Sequence, residues 1–305
     1  MGLLEETLGG KSLADYTNTQ LRLALGAVLY TNTADMWKQY LNQQGYIGSV
    51  SDMLQRYYVD RNVPTQFRNY ISAGIYINAD TLDPNFASVS ALLHLDGING
   101  STTFTDVTGK TWTPAGNAQI DTAQSKYGGA SLLLDGVNSY ASTTHGSDFD
   151  FGNEPFTIEF WYRPASISTF STIISADGVD YPFGIYHGSS FASGIPTAAI
   201  GANGSSWFSA ANSMSFGAVS NGVWYHFAIV REGDTFRCYK DGVQISTGAT
   251  DSAGQSVGNF GGLNVGKNAT FYIGAHIDDL RITKGICRYR SGTTFTPPTS
   301  AFPDA

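Results

Sequence analysis

The sequence predicts a mainly β protein, an antiparallel β-sandwich or jelly roll, preceded by a small α-helical N-terminal domain. Only 14% of the 305 residues are charged and 35 are glycine, a composition typical of all-β proteins with many turns. From residue 91 onward, short apolar runs alternate with turn signals. The strongest hairpin signal is Asp241-Gly242, between the predicted strands 236–240 and 243–246.

The N-terminal segment differs from the rest of the chain. Residues 1–72 carry Leu, Met and Gln at helix-like spacing, with helix-start patterns at Ser12, Asn32 and Ser49. In each pattern a short polar side chain can cap amides, and an acid three residues on suits the helix dipole. Such short helices need a partner surface, so we expect an anchoring segment. A three-helix domain packed only on itself is the alternative. Residues 73–90 are expected to form a linker and residues 91–305 the jelly roll.

Charge and hydropathy exclude two classes of partner. The net charge of −8 and the isoelectric point near 5.0 argue against nucleic acid, because phosphate binding needs clustered Lys and Arg. No stretch approaches the roughly 20 apolar residues of a membrane span. The first residues lack the basic and apolar regions of a secretory signal. We therefore expect Cys238 and Cys287 to be reduced, although their pairing stays open.

Five motifs, in order, resemble the laminin-G-like, concanavalin-A-like jelly-roll domains. They are residues 128–136 (GGASLLLDG), 156–164 (FTIEFWYRP), 224–231 (WYHFAIVR), 239–242 (YKDG) and 277–282 (IDDLRI). The resemblance covers residues 91 to about 303. It implies a sandwich of two curved sheets that often binds carbohydrate.

Two further runs resemble parts of tailed-bacteriophage virion proteins. Residues 284–298 are similar to the end of this domain in phage structural proteins, and residues 45–54 resemble short virion modules. The resemblance implies a virion location reached by lysis, with other virion proteins as partners of the N-terminal segment. Attachment to a symmetric particle makes us expect a homo-oligomer.

Catalysis is not expected. A glycosidase needs two carboxylates about 5–9.5 Å apart, which on one strand means acids at positions i and i+2. No predicted strand carries a run of alternating acids such as Glu-x-Asp-x-Glu, and Glu159 stands alone among apolar residues. We expect Glu159 to be a satisfied polar group of the sheet. Asp278 and Asp279 are adjacent and are expected to face opposite sides of their strand.

Two loops carry the chemistry that sugars require, namely aromatic faces beside amides and hydroxyls. Residues 201–208 and 181–187 supply the candidate ligand-binding residues Trp207, Phe208, Asn203, Tyr181 and Tyr186. The alternative is that Trp207, Phe208 and Tyr186 are core residues of inner strands.

Calcium is the one cofactor that the sequence suggests. Asp135 and Asn138 lie in one turn, and Asp278 or Asp279 could complete an oxygen-rich site if the loops converge. The alternative is that Asp135-Gly136 forms a hairpin turn and that one acid of the Asp278-Asp279 pair binds loop amides.

The sequence thus predicts a non-enzymatic phage virion protein of the tail, fibre, baseplate or head. Its jelly roll would be exposed for binding host-surface glycan. The alternative is a structural or decoration protein with no ligand. A glycan-degrading enzyme is disfavoured because the carboxylate pair is missing.

Overall fold

The computed structural model of the protein describes residues 83–144, 146–166, 170–176, 183–188, 195–202, 207–258, 262–290 and 294–304. The chain divides into two compact units, Met1–Ala87 with Pro303–Ala305, and Ser88–Phe302. The expected helical segment 1–72 and most of the expected linker 73–90 lie outside the described residues. Every strand of the described ranges lies in the second unit.

Short strands dominate this unit, as the turn spacing predicts. The described ranges also contain two 3-10 helices, Phe86–Ser88 and Ser147–Phe149. The strands are β1 Val89–Leu93, β2 Phe104–Thr105, β3 Thr111–Ala115, β4 Gln119–Asp121, β5 Ser131–Asp135, β6 Tyr140–Thr144, β7 Phe156–Pro164, β8 Ser171–Ala176, β9 Phe183–His187, β10 Thr197–Ile200, β11 Met214–Ser215, β12 Tyr225–Glu232, β13 Thr235–Lys240, β14 Val243–Ala249, β15 Gly262–Val265, β16 Lys267–Asn268, β17 Phe271–Tyr272 and β18 Gly274–Lys284.

The strands form two large antiparallel sheets and one small hairpin. The first sheet has the order β14-β13-β12-β7-β18-β5-β4, with β1 paired to β18. The second has the order β11-β10-β9-β8-β15-β6-β3-β2, and β16 pairs with β17 alone. The predicted antiparallel β-sandwich is therefore confirmed. None of the described ranges contains a helix long and apolar enough to cross a membrane.

One hydrophobic core joins the two sheets. Alternate residues of β7, including Phe160 and Tyr162, enter this core because side chains alternate across a strand. The Phe227 ring of β12 lies 5.9 Å from the Phe160 ring and 4.5 Å from the Phe216 ring. Between the sheets, the Tyr162 hydroxyl also hydrogen-bonds His187 Nδ1 of β9 at 2.5 Å. Burying each large apolar side chain contributes roughly 1.5–3 kcal/mol.

The outer face of the first sheet is covered by the end of the chain. We call residues 285–290 and 294–302 the C-terminal strap. Its Tyr289 and Phe295 rings stack at 3.6 Å over the sheet, and the Phe295 amide donates to the Gly242 carbonyl at 2.9 Å. A Cβ at Gly242 would lie 1.8 Å from the Phe295 oxygen. The predicted Asp241-Gly242 hairpin is present, with φ of 50° and 77°, and its glycine also makes room for the strap.

Candidate ligand-binding surface on the second sheet

Four rings on the second sheet and its neighbouring hairpin form the aromatic patch, defined as Phe170, Tyr186, Trp207 and Phe271. Tyr186 is central, with ring centroids 5.5 Å from Phe170 and 6.4 Å from Trp207. Phe271 extends the patch, since its ring lies 4.7 Å from Phe170. Phe271 is 43% exposed, whereas Tyr186 is 7% exposed. The patch therefore has a buried centre and an accessible rim.

The backbone of β9 and β10 positions the two central rings. Gly184 and Tyr186 share one face of β9, and a Cβ at Gly184 would lie 2.2 Å from the Tyr186 hydroxyl oxygen. Because Gly184 has no side chain, the Tyr186 ring can lie along the strand above it. Trp207 is held by a backbone bridge to Gly201, the residue directly after β10.

The β16–β17 hairpin brings polar groups to the patch. Asn268 Nδ2 donates to the Tyr186 hydroxyl at 3.1 Å, and Ser175 Oγ of β8 donates to the Lys267 carbonyl at 2.7 Å. The hairpin turns at Ala269, which has a φ of 51°. On the other face of the hairpin, the Lys267 ammonium lies 4.3 Å from the centre of the Tyr140 ring.

The structure brings together part of the predicted ligand set. Tyr186 and Trp207 meet in the aromatic patch. Phe208 does not join them: it is 1% exposed, and its ring stacks on Phe236 at 5.9 Å in the core. The prediction for Phe208 is wrong because neighbours in an extended chain point to opposite sides, so an outward Trp207 turns Phe208 inward. Asn203 and Tyr181 lie outside the described residues.

Sequence reasoning missed three members of this surface, Phe170, Asn268 and Phe271. They come from segments about a hundred residues apart, which are adjacent only because β8 lies beside β9 and the β16–β17 hairpin packs on β8. The one local signal was an asparagine and a phenylalanine flanking a two-residue turn, Ala269-Thr270.

Of the first pair of predicted calcium ligands, the Asp135 carboxylate is engaged by the protein itself. Asp135 Oδ1 accepts hydrogen bonds from the amides of Val137, Asn138 and Ser139 at 2.9–3.1 Å. Burial raises the pKa of Asp135, but these bonds and one from Asn117 outweigh it and hold the pKa below its ordinary value. Asp135-Gly136 thus forms a turn, but not the hairpin of the alternative, because β5 and β6 lie in different sheets.

Asp278 and Asp279 also bind backbone amides. Asp278 Oδ2 accepts from Lys126 and Tyr127 at 2.6 and 3.1 Å. Asp279 Oδ2 accepts from Phe302 at 2.9 Å. The expectation that the two carboxylates face opposite sides is wrong. A β-bulge shifts the register after Asp278, and Asp279 has a φ of 48°, so the alternation is broken.

The four predicted metal ligands do not converge. Asp135 lies opposite Gly274 in the first sheet, whereas Asp278 lies opposite Trp161. Within the described ranges, no group of three or more His, Cys, Asp or Glu side chains is arranged to hold a metal ion. Calcium binding at Asp135, Asn138, Asp278 or Asp279 stays a prediction.

Glu159 is a buried polar group whose carboxylate oxygens both accept hydrogen bonds, as the sequence predicts. Its Oε1 accepts from Arg281 Nε and Nη2 at 3.0 and 2.8 Å, and Oε2 accepts from the Tyr289 hydroxyl at 2.5 Å. Burial raises the pKa of Glu159, but the charge of Arg281, the nearby His226 ring and the bond from Tyr289 lower it to about 2. The carboxylate is therefore ionised at neutral pH and cannot act there as a proton donor.

Comparison with known proteins agrees with this architecture. Residues 135–286 match the family model described as the concanavalin A-like lectin/glucanases superfamily. No curated protein shows a significant match to the chain.

Solved structures share the fold at low sequence identity. The binding domain of Paraclostridial Mosquitocidal Protein 1 is similar with 14% identity and a TM-score of 0.53, over 67% of this chain and 50% of that one. The binding domain of Botulinum Neurotoxin DC in complex with SialylT is similar with 17% identity and a TM-score of 0.51, over 66% and 49%. The chain thus spans about half the length of these structures. The sheet order thus shows an antiparallel β-sandwich, and residues 135–286 within it are similar to the concanavalin A-like lectin/glucanases superfamily.

Proposed function

We propose that this protein is a non-enzymatic structural protein of a phage virion whose jelly roll binds host-surface carbohydrate through the aromatic patch. The observation that carries the proposal is the patch itself. The rings of Trp207 and Tyr186 lie 6.4 Å apart at 82° to one another, beside the Asn268 amide. The accessible rings of Trp207 and Phe271, supported by the buried Tyr186 ring, can cover the apolar C–H faces of a sugar, while amide and hydroxyl groups bind its hydroxyls.

The similar toxin domains support carbohydrate as the ligand class. One of them was solved in complex with SialylT. Another similar structure, at 15% identity and a TM-score of 0.50, is of botulinum neurotoxin type C, whose cell entry is dependent upon interaction with two ganglioside molecules. At these identities the likeness concerns the fold, so the ligand of this chain rests on its own patch.

The virion part of the proposal rests on the phage-like run 284–298. In the folded protein this run ends β18 and begins the strap. The anchoring role of residues 1–72, toward other virion proteins, rests on their capped helical patterns and belongs to the proposal. So does a homo-oligomeric state in the particle.

A glycan array probed with the full chain tests the ligand. Trp207→Ala is expected to lower binding at least tenfold without changing the unfolding midpoint, because Trp207 is only half-buried. Trp224→Ala is a matched control, as Trp224 is also half-buried but lies just before β12 of the other sheet. Absence of binding to any glycan on the array by the unaltered protein would contradict the carbohydrate role and favour a purely structural one.

A further inference from the structure

The two faces of the β16–β17 hairpin contact different groups. Lys267 pairs with Tyr272 and Asn268 pairs with Phe271, and the alternation along each strand puts these two pairs on opposite faces. Asn268 and Phe271 contact the aromatic patch. Lys267 and Tyr272 instead face Tyr140, whose ring lies 6.3 Å from that of Tyr272. The hairpin is therefore a ridge with aromatic rings on both sides.

The positive charge of Lys267, on the hairpin face that contacts Tyr140, is not neutralised by an acidic side chain of the described ranges. The Lys267 ammonium lies over the Tyr140 ring, and in the described ranges no carboxylate forms an ion pair with it. Lys110 differs, since its ammonium lies 2.8 Å from Asp148. The chain carries a net charge of −8, so acids are plentiful elsewhere. An unpaired cation over the half-buried Tyr140 ring is suited to an anionic group.

We propose that the ridge divides the ligand surface into two subsites and that the ligand is an acidic oligosaccharide. The aromatic patch would hold a neutral sugar ring. The side formed by Lys267, Tyr140 and Tyr272 would hold a sugar that bears a carboxylate or a sulfate. This inference rests on the proposed carbohydrate-binding function and names the class of ligand.

The physical basis is a charge-assisted hydrogen bond beside an aromatic surface. An ammonium group offers three donors and no acceptor, and its hydrogen bonds to an anion are about twice as strong as neutral ones. The Tyr140 ring covers one side of the ammonium. Because Lys267 is only half-buried, salt should screen the interaction.

The test compares acidic glycans with their neutral counterparts. The probes are sialylated glycans with their desialylated forms, and oligogalacturonates with their carboxyl-reduced forms, titrated into the full chain by calorimetry. We expect at least one acidic form to bind about tenfold more tightly than its partner, with a preference that declines as salt rises. Lys267→Gln is expected to remove the preference and leave neutral binding unchanged, whereas Lys267→Arg retains it.

Lys126→Gln is the matched control. The Lys126 ammonium also lies over a ring, 3.8 Å from the Trp161 centroid, but on the first sheet. This variant should keep the acidic preference. Equal binding of acidic and neutral forms, or a preference that Lys267→Gln leaves intact, would overturn this inference alone. Absence of all binding would overturn the proposed function together with it.

Discussion

At the scale of single residues, a buried carboxylate fastens the C-terminal strap to the first sheet. Glu159 of β7 binds Arg281 of β18 and Tyr289 of the strap. A buried ion pair adds little over a hydrophobic pair, but removing one partner is costly because the other charge is left buried. Glu159 is therefore a structural residue, and its role is to keep Arg281 and the strap in place.

Replacing Glu159 by Gln is expected to lower the free energy of unfolding by about 3–5 kcal/mol at pH 7. The pKa of Glu159 falls from 4.5 to about 2 on folding. Its stabilising contribution is thus complete above pH 4.5 and is lost as pH falls toward 2. Urea unfolding of the variant and of the unaltered protein at pH 7 and pH 3 measures the loss of stability and its pH dependence. The loss of unfolding free energy in the variant should be smaller at pH 3. Glu154→Gln, at an exposed position, is the control; equal losses for the two variants would contradict this role.

At the scale of elements, the β16–β17 hairpin contains a strained residue. Ala269 has a φ of 51°, a conformation that costs a residue with a Cβ roughly 1–2 kcal/mol. Strain of this kind is often found at binding sites, where the surroundings hold it in place. Here the contact of Asn268 with Tyr186 and the tether from Ser175 hold the hairpin.

Ala269→Gly is expected to raise the free energy of unfolding by about 0.5–1 kcal/mol, since glycine adopts positive φ freely but loses more chain entropy on folding. Thermal unfolding measures the change. Ala165→Gly is the control: it too is exposed, but its φ is not positive, so it should be neutral or destabilising. A lower midpoint for Ala269→Gly would show that the turn is not strained.

At the scale of the whole molecule, two buried carboxylates set opposite limits on stability with pH. Glu159 favours folding when ionised, as described above. Asp278 behaves in the reverse way, because burial and the charges of Asp279 and Asp96 raise its pKa from 3.8 to about 7 despite two amide bonds. Its ionisation therefore opposes folding, a penalty that begins above pH 4 and is complete above pH 7. Stability should be greatest in the mildly acidic range between these limits.

Asp278→Asn is expected to raise the free energy of unfolding at pH 8 by about 2 kcal/mol and to change little at pH 4. The Asn oxygen can still accept from the Lys126 and Tyr127 amides, while the NH₂ group replaces the Oδ1 atom, which has no hydrogen-bond partner. Denaturant unfolding across this pH range measures the effect. A variant less stable than the unaltered protein at pH 8 would show that the carboxylate is favourable when charged.

Local sequence patterns predicted turns and the state of single buried groups, but they did not predict side-chain directions that depend on strand pairing. The hairpin at Asp241-Gly242 and the satisfied state of Glu159 follow from turn chemistry and from the lack of a second acid nearby. The orientation of Asp279 could not be predicted, because a bulge arises from pairing with β7. Phe208 was misassigned because its loop sequence does not reveal which of two neighbouring rings turns inward.

The sequence by itself determined several of the strands and turns, and hence a sandwich, since these depend on alternation and on residues adjacent in the chain. Only the tertiary structure decided which strands are neighbours, and with that the composition of the aromatic patch. Phe170, Tyr186 and Phe271 meet because β8 pairs with β9 and packs against the β16–β17 hairpin. The burial of Asp278 beneath Lys126 and Tyr127 likewise depends on contacts between residues far apart in the sequence. The physical reason is that local preferences act over a few residues, whereas a binding surface is built from segments that pair across the whole sheet.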